Sequence, residues 1–232
     1  MDLPPQNMQF TGRQKELQQL SDIVADAGRD QRKIAVLHGL GGMGKTSIVL
    51  HYAWQNYIRY SAIIWIHAAT VETLRSSFIH VAEALIQHLA VNYGSAGPGY
   101  IQIASRLGIP GLINASGQLM YNAESNDQDK IINAVSKWLA TNGNDNWLLI
   151  FDNMDDLEVV DQAKHFPRCS SGTIIITSRR RGIAQWGESL HIDGMDEKGA
   201  LDLLMKRSKL DWTQLSTIGN LQHIICVNLL IH

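Results

Sequence analysis

Residues 39–46 read GLGGMGKT, and they follow the apolar run Ile34, Ala35, Val36, Leu37 and precede a helix-compatible stretch over 47–57. A strand, a glycine-rich turn and a helix in that order form a loop that wraps a phosphate. The pattern GxxxxGK[ST] needs glycines because several backbone N–H groups must turn inward where a Cβ would obstruct the approach. Gly39, Gly41, Gly42 and Gly44 supply that freedom. Lys45 then places its ammonium on the β- and γ-phosphates, and the Thr46 hydroxyl ligates a bridging Mg²⁺. A helix beginning near Lys45 adds the positive end of its dipole beneath the phosphates.

Residues 39–44 also satisfy GxGxxG, the dinucleotide fingerprint, which requires an acid about 20 residues on at the end of the second strand. Here that strand, 62–66, ends in His67, Ala68 and Ala69, and the first acid afterwards is Glu72, inside the next helix. A dinucleotide fold also has no use for Lys45 and Thr46. The phosphate-loop assignment is the one that accounts for all eight residues.

The alternation along the chain extends that local unit to a fold class. Residues 13–27 carry Leu17, Leu20, Val24 and Ala27 at helical spacing and end at Gly28. Strand candidates at 33–37, 62–66, 147–151, 173–177 and 190–192 are mostly continuous apolar runs, as strands buried on both faces should be. Between them, 71–89 places Leu74, Phe78, Val81, Ala82, Leu85 and Leu89 on one helical face, with Thr70 as N-cap and Glu72 in the first turn. Residues 130–139 repeat the pattern with Ile131, Val135, Trp138 and Leu139. This rhythm predicts an α/β, three-layer fold with a mostly parallel five-stranded sheet and helices on both faces. Residues 91–127, with GSAGPG, IPG and NAESND, read as a long irregular connection holding one short helix.

Bulk properties narrow the function classes. At 232 residues, 45% hydrophobic and 18% charged, the chain suits one α/β domain with a short extension. A net charge of −2 gives no global field for nucleic acid or an anionic membrane, and neither is expected as a partner. The two cysteines, Cys169 and Cys226, form no CxxC, and the nine histidines are scattered, so neither a disulfide framework nor a zinc site is indicated. His51, His80 and His88 read as ordinary helix residues. The N-terminal segment is polar and proline-rich, unlike a secretory signal, and no run reaches the ~18 apolar residues of a spanning helix. The expected location is the cytoplasm.

Two further segments complete a nucleotide site. Leu148 to Phe151 are apolar and close on Asp152, which puts a carboxylate at the C-terminal end of a buried strand beside the phosphate loop, where it holds Mg²⁺. Thr177, Ser178 and Arg179 close the next strand, and Arg179 comes nearest the strand end of three consecutive arginines. From there it can contact a γ-phosphate and distinguish ATP from ADP.

Together these residues resemble the NB-ARC family of signal-transducing P-loop NTPases of the STAND class, found in plant disease-resistance proteins, animal apoptotic adaptors and fungal NOD-like receptors of innate immunity. GLGGMGKT matches the family's phosphate loop nearly letter for letter. Phe10, Thr11, Gly12 and Arg13 resemble its N-terminal element that packs on adenine and ribose. The likeness extends through LLIFDN at 148–153, GTIIITSR at 172–179 and the helix after Met195, and is most similar to fungal members.

The resemblance implies an N-terminal adenine-contacting segment at 1–12, a nucleotide-binding core at 13–208 and the start of a helical lid subdomain at 209–232. It implies an ADP- or ATP-binding, Mg²⁺-dependent switch contacting nucleotide through Phe10, Gly12, Arg13, Gly39, Gly41, Gly42, Met43, Gly44, Lys45, Thr46, Ser47 and Arg179. Thr46 and Asp152 are its metal ligands. In a full-length context such a switch acts through protein partners or homo-oligomers. The family's usual second acid after the metal-binding aspartate is Asn153 here, which cannot accept a proton; slow or absent hydrolysis follows unless Asp155 or Asp156 substitutes. The family's GLPL and MHD lid motifs do not follow, so the expectation is a core without its lid, from a truncated gene product. The alternatives are a vestigial binding-only module and a P-loop small-molecule kinase.

Overall fold

A computed structural model describes residues 3–25, 32–93, 99–122, 126–141, 143–156 and 166–208. The elements in chain order are α1 (Gln14–Ala25), β1 (Lys33–His38), α2 (Lys45–Gln55), β2 (Ala62–His67), α3 (Val71–Tyr93), α4 (Tyr100–Leu107), α5 (Asp127–Leu139), β3 (Trp147–Asp152), β4 (Thr173–Ser178), β5 (Glu188–His191) and α6 (Glu197–Ser208). Single 3₁₀ segments follow α2 at Tyr57–Arg59 and β4 at Arg181–Trp186.

The five strands form one sheet in the order β2-β3-β4-β1-β5, and every pairing is parallel. The expected five-stranded sheet is thus present, with all its pairings parallel. A parallel sheet needs both faces covered because its crossover helices lie on them. Side-chain alternation divides each strand between two cores. Ile64, Ile66, Leu149, Phe151, Ile174 and Ile176 join the buried residues of α3, α4 and α5 on one face. Ile63, Trp65, Leu148, Ile150, Ile175, Ala35 and Leu37 pack with α1 and α2 on the other. That period-2 division gives a three-layer architecture and explains the unbroken apolar runs: both parities are core.

The predicted elements are all present, with shifted ends. Strands β1 to β4 each run one residue beyond the apolar stretch, because the terminal His38, His67, Asp152 and Ser178 still pair in register. The last strand is displaced to Glu188–His191, since pairing with Ala35 to His38 starts at Glu188, where no apolar signal marks it. Helix α3 continues to Tyr93, and the connection after it holds α4, closed by Gly108 in the left-handed conformation. Thr70 caps α3 reciprocally with Thr73: the Thr73 amide donates to Thr70 Oγ1 at 3.2 Å, and the Thr70 amide to Thr73 Oγ1 at 3.0 Å. The helix end expected at Ala27–Gly28, parts of GSAGPG and NAESND, Cys226 and the segment 209–232 lie outside the described residues.

The strand carrying Asp152 is separated from the phosphate-loop strand by β4. The carboxyl ends of β3, β4 and β1 nevertheless line up at one edge of the sheet, the side on which ligands bind in open α/β sheets.

Candidate functional site

The loop between β1 and α2 begins in tight quarters. Gly39 has φ 152°, and a Cβ there would sit 2.3 Å from the Ile192 carbonyl oxygen, so the close approach of the chain leaving β5 admits only glycine. Gly42 and Gly44 are left-handed, whereas Gly41 takes an ordinary φ. Helix α2 starts at Lys45, with Gly44 as its cap, so its first amides face the loop interior.

Lys45 is 8% exposed, and its Nζ donates to the carbonyls of Gly39 at 2.8 Å and Leu40 at 2.7 Å, holding the ammonium across the loop. Burial pushes its pKa down, with Arg179 adding to the shift, while Asp155 and Asp152 oppose it. Thr46, the next residue, donates from Oγ1 to Asp152 Oδ1 at 2.7 Å. That bond joins the head of α2 to the end of β3 across the intervening strand.

Asp152 is 7% exposed and receives a second bond on the same oxygen, from Thr177 Oγ1 at 2.7 Å. Among the described residues Oδ2 has no protein partner. A threonine hydroxyl and one carboxylate, all oxygen, suit Mg²⁺, which binds through one or two carboxylates and otherwise keeps water and phosphate oxygens. The residues present thus fit that ion, and Thr46 and Asp152 would hold it. No cluster of three or more His, Cys, Asp or Glu able to hold a metal occurs among the described residues.

Thr177 is absent from the sequence-based site although it is central to the geometry. It is 1% exposed, donates to Asp152, and accepts from the Asn153 amide at 2.8 Å. The sequence offers only a polar residue closing the apolar run 174–176; its partner, 25 residues away, comes from the fold. Asn153 itself has φ 61°, a conformation asparagine tolerates better than most residues, which turns the chain sharply after β3.

That turn brings Asp155 under β4. Its Oδ1 accepts from Ser178 Oγ at 3.0 Å and from the Arg179 amide at 2.6 Å, and its Oδ2 accepts from Arg179 Nε at 2.5 Å. Arg180 Nε donates to the Asp155 carbonyl. Although burial works the other way, the hydrogen bonds from Arg179 and Ser178 hold the Asp155 carboxyl below its usual range. Both its oxygens are committed, which leaves it a poor stand-in for a water-orienting base. Arg179 stands beside the loop: a Cβ on Gly41 would lie 3.6 Å from its Cδ.

The N-terminal segment folds onto the other side of the loop. Arg13, itself left-handed at φ 63°, donates from its guanidinium to Met43 O and Asp193 O, each at 2.9 Å, and pairs with Glu16 at 2.7 Å. It ties the segment, the loop and the chain after β5 into one unit. Gly12 lies against Met195 and Gly199 of the α6 region. Phe10 stacks on His51 with ring centroids 4.0 Å apart and 12° between planes, which packs the N-terminal segment on α2. Burial lowers the pKa of His51. Ser47 is half-buried one residue past Thr46.

A histidine pair lies under the start of the loop. His38 Nδ1 and His191 Nδ1 are 3.2 Å apart, and His191 Nε2 is 3.0 Å from Asp193 Oδ1. Burial lowers the His38 pKa first, followed by His191, Arg181 and Lys45. Among the described residues no helix is long and apolar enough to cross a membrane.

Comparison with known proteins agrees with this fold. A family model described as an AAA ATPase domain matches residues 9–166. A nucleotide-binding leucine-rich repeat (NLR)-like protein of Hyaloscypha variabilis is 24% identical over 220 residues, an alignment covering 86% of this chain and 19% of that protein. The chain therefore spans only a minor part of that relative. The crystal structure of Cdc6p from Pyrobaculum aerophilum superposes with a TM-score of 0.51 at 13% identity, covering 88% of this chain and 52% of that one; the likeness is one of fold.

Proposed function

The chain belongs to the AAA ATPase domain family, and on that premise we propose that it is the nucleotide-binding core of a signalling switch of the NB-ARC, NOD-like receptor type. In this proposal ADP and ATP bind at the loop 39–46 with Mg²⁺ between the phosphates, Thr46 and Asp152. One observation carries the proposal: the 2.7 Å bond from Thr46 to Asp152, which brings the two metal-ligand candidates together across an intervening strand. Lys45 meets the β- and γ-phosphates, the amides at the head of α2 cradle them, and Arg179 is the γ-phosphate contact. The segment carrying Phe10, Gly12 and Arg13 closes over the nucleoside, and its anchorage to Met43 supports that placement.

Occupancy rather than turnover is the proposed output. Asn153 stands where a second acid would orient water, and it cannot take a proton at neutral pH. The engagement of Asp155 by Arg179 and Ser178 supports slow or absent hydrolysis. The name of the Hyaloscypha variabilis relative supports a setting within a larger receptor, where protein partners or self-association receive the signal.

The test is to purify the chain, denature it and identify any released nucleotide, then measure ADP and ATP affinity by calorimetry for wild type and Lys45→Ala. Losing one member of a close charge pair costs about 2 to 5 kcal/mol, roughly 30-fold to several thousandfold in affinity. Unchanged affinity in Lys45→Ala refutes the site.

A further inference from the structure

Asp155 is three residues beyond Asp152 and outside the metal site, yet three protein hydrogen bonds converge on its carboxylate. Ser178 Oγ and the Arg179 amide both donate to its Oδ1, and Arg179 Nε donates to its Oδ2. The Asp155 carboxylate is largely buried, at 13% exposure, while the arginine side chain is 61% exposed. One end of the pair is thus fixed in the protein and the other stands in solvent beside Gly41.

The atom used on the arginine matters. A guanidinium carries five N–H donors in a rigid fork, and a carboxylate held on Nε leaves the far edge of the fork free to bind a second anion. Among the described residues the Arg179 terminal nitrogens have no protein partner. An exposed arginine ordinarily samples many rotamers, and ordering it on binding is costly. A carboxylate that holds Nε and the same residue's amide removes most of that freedom beforehand.

Resting on the nucleotide-switch proposal, we infer that Asp155 is a positioning residue that presets Arg179 over the phosphate loop and thereby sets the preference for a nucleoside triphosphate over the diphosphate. It does so without touching nucleotide. The depressed pKa of Asp155 agrees, since the carboxylate stays ionised across the neutral range.

The experiment measures ATP and ADP affinities, with Mg²⁺, for wild type, Asp155→Asn, Arg179→Ala and the double variant. Asparagine keeps an oxygen for Ser178 Oγ and the Arg179 amide but turns an NH₂ toward Nε, donor against donor. The expected result is that Asp155→Asn weakens ATP by about tenfold, the scale of one charge-assisted hydrogen bond, with ADP within about twofold. Adding Asp155→Asn to Arg179→Ala should then change nothing further, because the two act through one group. An ATP:ADP ratio unchanged in Asp155→Asn, a ratio shifted toward ATP, or additive losses in the double variant each overturn the inference while leaving the nucleotide site standing. A wild-type chain that binds neither nucleotide overturns the functional proposal, and this inference with it. Should Asp155→Asn fail to fold, Asp155→Glu keeps the charge but moves it by one methylene; an unaltered ratio there also overturns the inference.

Discussion

Replacing Thr177 by valine tests whether the metal-ligand geometry is held by the fold itself. The side chains have nearly the same shape, so the change deletes one hydroxyl at a position that is 1% exposed. Two bonds disappear: the donation to Asp152 Oδ1 at 2.7 Å and the acceptance from the Asn153 amide at 2.8 Å. A hydrogen bond to a charged group contributes about 1.5 to 3 kcal/mol, and a buried amide left unsatisfied costs about 1 to 3 kcal/mol. The extra methyl returns roughly 1 kcal/mol of apolar burial. The net expectation is a loss of about 3 kcal/mol, which for a domain of this size lowers Tm by about 9 °C. Urea unfolding followed by tryptophan fluorescence measures it, with Thr177→Ser as control, since serine keeps the hydroxyl and should lose no more than about 1.5 kcal/mol. If valine and serine agree within about 0.5 kcal/mol, the hydroxyl does not support the Asp152–Asn153 turn and the account of the site is wrong.

Gly172 has φ 84°, and a Cβ there would fall 2.3 Å from the Trp147 ring, so Gly172→Ala should destabilise the domain by more than about 2 kcal/mol; a smaller loss in urea unfolding would mean that β3 and β4 can slide apart. His38 titrates below its ordinary value through burial and its cationic neighbours His191, Arg181 and Lys45. The unfolded chain therefore takes up a proton that the folded one refuses, and stability should fall as pH drops below about 6.5. His38→Asn should flatten that part of the pH profile of unfolding free energy relative to wild type; parallel profiles would remove His38 as a cause.

The fold was legible because β1 to β4 are nearly continuous apolar runs and the helices between them carry apolar stripes, so element type followed from periodicity; β5, with Leu190 alone buried, was placed too late. Strand order was not legible: a strand buried on both faces reads the same wherever it sits in the sheet, and nothing within residues 147–152 says that β4 intervenes before β1. The phosphate loop was visible because its chemistry is contiguous. Thr177 and the Asp155–Arg179 pair were not, since their roles depend on contacts 24 or 25 residues apart. The stack of Phe10 on His51 was not legible either, because only the folded N-terminal segment brings the two rings together.

The inserted strand also determines what such a site could sense. Three consecutive residues at the end of β4 face three different parts of the edge. Thr177 orients the Asp152 carboxylate, Ser178 donates to Met154 O and Asp155 Oδ1, and Arg179 lies against Gly41 of the loop. Thr177 and Ser178 stay in register with Leu37 and His38 of β1, while the pairing with β3 ends at Ile176, so beyond that point the side-chain bonds and the Met154 amide on the Thr177 carbonyl join the two strand ends. On the proposed function, an added γ-phosphate that draws Arg179 would be felt at Asp155 and, through the same peptide units, at Asp152.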